Sequence, residues 1–376
     1  MSSLQHILTQ DQLAIQSATR DFARRHAARE NVRAEYGDER TSYRVDSWRL
    51  LTSQLGAQGI LIPEELGGIG AGLDDLVGVS EELGRELYCG PFLSTVGLAT
   101  SLLLALGRRQ QIPAIDVLTR KVATGEASVG LAYMGSDGSW PNQDLRGIQS
   151  DGKWLLSGSA HLVLDADIAD AQLVLARVSD EWSIFLVEAP ANNMAVGFRP
   201  SIDPSRQAYT IEFRSTEALR VHEGDDALSL WGFCLDIASV VLAAEQVGGA
   251  KACLDMSVEY SANRYQFGSP IGSFQAIQHM CANVLLDIEA AGSAVLYAAW
   301  AHAEGSAEFA IASSVAKAVA SDAFIRAATS NMQIHGSMGY TFEHDAHMYF
   351  RRAKWSSLFL GSSDRHRFRI ADLLGV

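Results

Sequence analysis

Residues Ala243 to Ala282 read AAEQVGGAKACLDMSVEYSANRYQFGSPIGSFQAIQHMCA. A long helical pattern runs to Asn263, a Gly/Pro break follows, and a second long helical pattern starts at Phe274. Two long helices joined by a short reversal are antiparallel neighbours in a bundle. Arg264, Gln266 and Phe267 stand just before the break, where a loop meets helix ends and side chains are free to meet a ligand.

Outward from this stretch, helical periodicity places one helix over Leu228 to Asn263 and a second over Phe274 to about Ala303. A third runs from Glu308 to about Met332, and shorter ones lie in 343–359 and 364–374. Upstream the composition changes. Between about Ala127 and Val221, short runs such as KWLLSGS, AQLVLARV and WSIFLVEA alternate apolar and polar residues between turn signals, which predicts an antiparallel sheet or small barrel. The first 125 residues read as all-helical, with helices over 4 to about 35, Val45 to Leu55, Leu73 to Leu87, Val96 to Leu106 and Ile115 to Thr124. Glycines 67, 68, 70 and 72 lack the strand before and helix after that a phosphate loop needs, and read as a tight turn. The expected fold is mostly α with an inserted β domain: an N-terminal helical domain over 1–125, a middle antiparallel β domain over 126–224 and a C-terminal four-helix bundle over 225–376.

Composition narrows the function classes. With 30 basic and 44 acidic residues the net charge is -14, which repels phosphate backbones and anionic lipid surfaces, so neither nucleic acid nor membrane is an expected partner. Cys89, Cys234, Cys253 and Cys281 show no C-x-x-C spacing and read as buried free thiols in a reducing compartment. MSSLQHILTQDQ lacks a signal-peptide pattern, and the apolar run Leu102 to Leu106 falls short of the roughly 20 residues that span a bilayer; a cytoplasmic protein is expected. His335, His344 and His347 lack a third ligand at suitable spacing, so no metal is expected. Arg351, Arg352, Lys354, Arg365, Arg367 and Arg369 are the one basic concentration, a face of salt bridges or a neighbour of ligand phosphates.

Three motifs carry a family resemblance. Arg264 to His279, RYQFGSPIGSFQAIQH, resembles the flavin-binding signature of the acyl-CoA dehydrogenases; Gln333 to Lys354, QIHGSMGYTFEHDAHMYFRRAK, resembles that family's second C-terminal motif; and LIPEELGGIGAGLDD resembles its N-terminal Gly-rich turn. The resemblance implies FAD as cofactor, an acyl-CoA substrate and α,β-dehydrogenation of its thioester, in a homo-oligomer or an α2β2 assembly with a related dehydrogenase subunit. An electron-transfer flavoprotein would serve as acceptor. It also implies the cofactor-binding residues. Arg264, Gln266, Phe267 and Gly268 of one subunit meet the FAD diphosphate and adenine, with Gln275 on the following helix. Gln333, His335 and Gly336 of its neighbour meet the adenosine end. A guanidinium offers fixed donors to a diphosphate, an aromatic ring packs on adenine, and glycine permits close backbone approach.

The family removes the substrate's α proton with a glutamate, and here the pattern breaks. Leu360, in LFLGSS, stands where most members carry that glutamate, and Ala238 stands at the alternative position on the first bundle helix. Two nearby acids are the candidate bases: Asp236, roughly 200° around the helix from Ala238, and Glu245, two turns on along the same face, about 10 Å away. Leu162 and Leu164 likewise fall at the places of the family's flavin-contacting aromatic and hydroxyl residues. Three readings stay open: a dehydrogenase with an unconventional or partner-supplied base, a catalytically silent subunit completing a partner's FAD site, or base-free flavin or elimination chemistry on an acyl-CoA.

Overall fold

The computed structural model describes residues 8–26, 29–36, 43–109, 112–224 and 226–376. Within it the chain order is helices, then strands, then helices, and contacts group the chain into two compact units: Met1–Thr41, Gly72–Cys89 and Ser239–Val376 form one, Ser42–Ala71 and Gly90–Ala238 the other. Element type changes from helix to strand between α6 (Pro113–Thr124) and β1 (Val129–Ala132), and from strand to helix between β7 (Ala208–Glu223) and α7 (Ala227–Asn263). The early helices divide between the two units.

The first unit is built on α7, α8 (Gln275–Ala303) and α9 (Phe309–His335), with α10 (Ala346–Leu358), α11 (Ser363–Leu374), α1 (Gln10–His26), α2 (Arg29–Ala34) and α4 (Leu73–Arg85) around them. α7 is apolar on every side, and every residue from Cys234 to Ala250 is buried, the pattern of a core helix. It crosses α4 at backbone contact. A Cβ on Gly84 would strike the Glu245 carbonyl, and one on Gly248 would strike the Glu81 carbonyl and lie 3.0 Å from the Arg85 nitrogen. Ser80 Oγ, donating to Val241 O at 2.8 Å, fixes the same crossing. Both α7 and α8 are long and apolar enough to cross a membrane, unlike the short run Leu102 to Leu106. The apolar window of α7 is 78% buried within the protein; that of α8 is 44% buried, leaving Leu285, Leu286, Tyr297 and Trp300 exposed. The helix expected over 4 to about 35 is two helices, α1 and α2; residues 4–7, 27 and 28 lie outside the described residues.

In the second unit α3 (Tyr43–Gln54), a π-helical turn (Leu93–Ala99) running into α5 (Thr100–Arg109), and α6 accompany the sheet. The sheet closes on itself. β2 (Arg146–Ser150), β3 (Lys153–Leu164), β7, β5 (Glu181–Glu188) and β4 (Ala171–Val178) pair in a ring, and β4 meets β2 again at Arg177 and Arg146. β6 (Met194–Arg199) adds to β7 and β1 to β4. The pairs β1–β4 and β2–β4 are parallel, which the expectation of an antiparallel sheet did not include. Leu145, Leu156, Val174, Phe185, Tyr209 and Phe213 belong to its buried interior, the inward face of alternating strands.

Candidate functional site

The break after Asn263 is a two-residue hairpin: β8 (Tyr265–Gln266) pairs with β9 (Ser269–Pro270), and Phe267 and Gly268 make the turn with φ of 53° and 82°. Positive φ at both turn positions is the backbone twist such hairpins favour, easy for glycine and strained for phenylalanine. The Ile271 N–H donates to Arg264 O at 2.8 Å and closes the hairpin. Every residue from Ala262 to Gly268 is exposed, and the Phe267 ring is 92% exposed, so it is not a core residue; it touches Phe274 edge-on. Among the described residues the side chains of Arg264, Gln266, Gln275 and Gln333 form no hydrogen bond or ion pair, whereas Gln278 donates to Gly272 O at 2.9 Å and holds the loop.

The C-terminal end of α9 lies beside this hairpin's root. A hollow of about 380 Å³ is lined by Tyr260 and Asn263 of α7, His335, His344, and Arg29 and Arg33 of α2. Gly336, with φ 61°, turns the chain out of α9. His335 is buried and lies between the rings of Tyr260 and His344, at 4.2 and 4.3 Å. Its Nδ1–H donates to Asn331 O at 2.8 Å, and burial lowers its pKa, so the ring is neutral near pH 7. A second, larger hollow of about 550 Å³ between α1, α4, α7 and α8 holds charges that satisfy one another, Arg20 with Glu82 at 2.6 Å and Lys251 with Glu81 at 2.5 Å.

These residues fit FAD. An unpaired guanidinium, three unpaired amides and an exposed aromatic ring, presented with the open backbone of Gly268 and Gly336, are the donor set and stacking surface that a diphosphate and an adenine ask for. The basic concentration does not join them as a phosphate site: Arg352 is buried, Arg367 pairs with Asp322 and Asp364, Arg369 donates to Ser314 Oγ, and Arg351 lies over the rings of Tyr36 and Phe342. Among the described residues no group of three or more His, Cys, Asp or Glu is placed to hold a metal; His347 is buried against Tyr36 and Phe342.

The proton-abstraction side is different. Leu360 is half-buried in the turn between α10 and α11, with φ 62°. Glu245 is buried and committed: Arg352 Nη1 donates to its Oε1 at 2.9 Å, and both side chains are less than a tenth exposed. Releasing it as a base would leave an uncompensated buried guanidinium, a loss of about 3–5 kcal/mol, so the reading of Glu245 as an available base is corrected to a structural ion pair. In the other unit Ala238 is fully buried and Asp236 is 5% exposed. Leu162 sits in a β-bulge of β3 with φ 54° and is 40% exposed, while Leu164 is buried.

Among the buried cations that sequence reasoning missed, Lys317 is fully buried on α9 behind the Leu360 turn, and Arg44 is buried on α3 against Asp165 and Asp167, in the loop after the Leu162 bulge. The available signal for Lys317 was a lone lysine in the small-residue run ASSVAKAVAS with a serine four residues on, placed to meet it on the same helix face.

Comparison with known proteins agrees with this geometry. The family model for the acyl-CoA dehydrogenase N-terminal domain matches residues 9–114, and that for the C-terminal domain matches residues 232–375. Acyl-CoA dehydrogenase IpdE2 of Mycobacterium tuberculosis is 35% identical over 341 residues, covering 90% of this chain and 89% of its own. Among solved structures, the Tcur3481-Tcur3483 steroid ACAD matches with TM-score 0.85 at 27% identity, over 97% of this chain and 98% of that one. The ChsE4-ChsE5 complex from M. tuberculosis matches with TM-score 0.87 at 25% identity, over 98% of each chain. The chain belongs to the acyl-CoA dehydrogenase family, whose members are FAD-dependent oxidoreductases.

Proposed function

We propose that this chain is the cofactor-holding subunit of a heteromeric enzyme that desaturates an acyl-CoA thioester between Cα and Cβ. The observation that supports this reading is a division within one chain. Arg264, Gln266, Gln275 and Gln333 are exposed with unpaired side chains and the Phe267 ring is exposed, while leucine stands at one base position, alanine at the other, and Glu245 is held by Arg352. In this reading a carboxylate of a related partner subunit takes the α proton, and Asp236 is the acid within the chain that remains a candidate. The similarity to the ChsE4-ChsE5 complex and to a steroid ACAD suggests the same arrangement and a bulky acyl group. The exposed apolar face of α8, with Leu285, Leu286, Tyr297 and Trp300, offers surface for a subunit contact.

When bound, FAD supplies the two-electron acceptor for the β hydrogen. The chain's own residues bind and orient. Arg264 offers charge-assisted donors to the diphosphate, Gln266 and Gln275 add amide donors, and the Phe267 ring covers an adenine face. Gln333, the neutral His335 and Gly336 shape the adenosine end. Leu360 places an apolar side chain where the family has its base, which keeps water from that side and moves no proton.

The deciding experiment is an anaerobic titration of the flavin-loaded protein with short, long and steroid acyl-CoAs, alone and after co-production with a related dehydrogenase subunit. Bleaching of the flavin only in the mixed assembly is the expected result. A flavin-loaded mixed assembly that no acyl-CoA reduces sinks the proposal. Leu360 equally supports a silent subunit, which would be flavin-free and unstable alone, recover both in the assembly, and leave turnover unchanged when Arg264 is removed from this chain only. Turnover without any electron acceptor would instead identify elimination chemistry.

A further inference from the structure

Lys317 has no place in the function proposed above, and its surroundings are unusual for a lysine. It is fully buried, and its ammonium meets three neutral oxygens: Ser321 Oγ at 2.8 Å, Ser356 O at 2.9 Å and Gly361 O at 3.3 Å. A buried lysine is ordinarily paired with an acid. The acid whose charge reaches it, Asp322, is itself engaged by Arg367 and Ser363. The Lys317 charge is therefore spent on the last turn of α10, where the helix dipole favours a cation, and on the backbone of the turn beyond it.

That turn is strained. Leu360 has φ 62°, a left-handed conformation that costs a side chain about 1–2 kcal/mol, and Gly361 follows with φ 109°. Two helices restrain it from behind. His366 Nε2 of α11 bonds Leu360 O at 3.0 Å, Lys317 of α9 bonds Gly361 O, and the Gly361 N–H donates to Leu358 O at 3.1 Å. From α7, Gln246 Nε2 bonds Ser321 Oγ and Ser356 Oγ, each at 3.1 Å, and so fixes the partners of Lys317. The carbonyls of two consecutive residues are thus gripped by two separate side chains.

We infer that Lys317, acting with His366, is a positioning residue: it clamps the Phe359–Ser362 turn in its left-handed form and so sets where the residue at position 360 stands. This rests on the reading that position 360 faces the acyl-CoA. Burial pulls Lys317 down to about 7. The charged or titratable groups around the knot are Asp322 of α9 and His366, Arg365 and Arg369 of α11, while α7 and α10 contribute the neutral Gln246 and Ser356. Opening the turn to water removes part of that burial and lets Lys317 take up a proton more readily, so the clamp should hold better as pH rises through neutrality.

Hydrogen exchange of the FAD-loaded protein reads this directly. In Lys317→Met, exchange at the amides of 359–362 should rise about tenfold relative to wild type, and wild-type protection, after correction for intrinsic rates, should increase from pH 6 to 9 while that of the variant stays flat. His366→Leu should loosen the Leu360 amide while keeping the pH response, which a purely packing role would not produce. Equal protection in wild type and Lys317→Met overturns the inference. Should that variant not fold, flat wild-type protection from pH 6 to 9 overturns it equally. A wild-type mixed assembly that no acyl-CoA reduces would refute the proposed function and leave the exchange result standing.

Discussion

Leu162 in the barrel unit and Leu360 in the bundle unit both hold left-handed backbone, φ 54° and 62°, at positions that the family resemblance assigns to residues meeting the flavin or the substrate. The cation behind each is of a different kind. Arg44 pairs with Asp165 at 2.5 Å and Asp167 at 2.8 Å, and Asp165 also accepts from Ser94 at 2.7 Å. Burial works against the Arg44 charge, but the two carboxylates outweigh it and hold its pKa above the ordinary value. Lys317 has no such partner and meets only neutral oxygens. The loop after the Leu162 bulge is held by an ion pair, and the turn at Leu360 by an amine that burial brings to about 7.

The largest test of that contrast is Arg44→Met. It leaves Asp165 buried without its cation, and unfolding in urea should show a loss of about 3–5 kcal/mol that stays constant from pH 6 to 9. Lys317→Met strands no acid, so its effect should be smaller and should depend on pH. Folding lowers the Lys317 pKa from 10.5 to about 7, so between those values the unfolded chain binds more protons than the folded one. Wild-type stability therefore gains with rising pH across that window, as the penalty for burying the charge, complete below about 7, is relieved. The variant lacks this gain, and the stability difference between wild type and Lys317→Met should grow in favour of wild type by about 3–4 kcal/mol from pH 7 to pH 10. An equal difference at both ends would place Lys317 in the same class as Arg44. The smallest stability effect belongs to Arg264→Ala, outside both turns. Because Arg264 is exposed and unpaired, unfolding should shift by no more than about 0.5 kcal/mol, while FAD affinity measured by fluorescence falls about tenfold or more.

Much of the fold could be read from the chain because its helices are long and its breaks are chemically explicit. The Gly/Pro hairpin after Asn263 and the ends of α7, α8 and α9 fall within about three residues of expectation, the usual fraying of a boundary. Barrel closure could not be read. The meeting of Arg146 with Arg177 and the parallel pairing of Val129 with Ala171 join strands distant in sequence, and alternation tells which face is buried without telling which neighbour pairs. At the site, the residues proposed to meet FAD could be named because they lie in two short stretches, each carrying a motif. Glu245 was misread for the opposite reason: its partner Arg352 lies 107 residues away, and nothing local distinguishes a paired acid from a free one. Lys317 and His366 escaped in the same way, since their acceptors are backbone carbonyls, which have no letter in the sequence.

The crossing of α4 and α7 at Gly84 and Gly248 bears on how the chain can drift. Each glycine faces the backbone of the opposite helix rather than a side chain that could swing aside, so no single exchange on the partner helix compensates a new methyl. In a library carrying every substitution, both positions should retain glycine alone, while their neighbours Arg85 and Lys251, whose charges end in ion pairs of the open hollow, should accept many replacements.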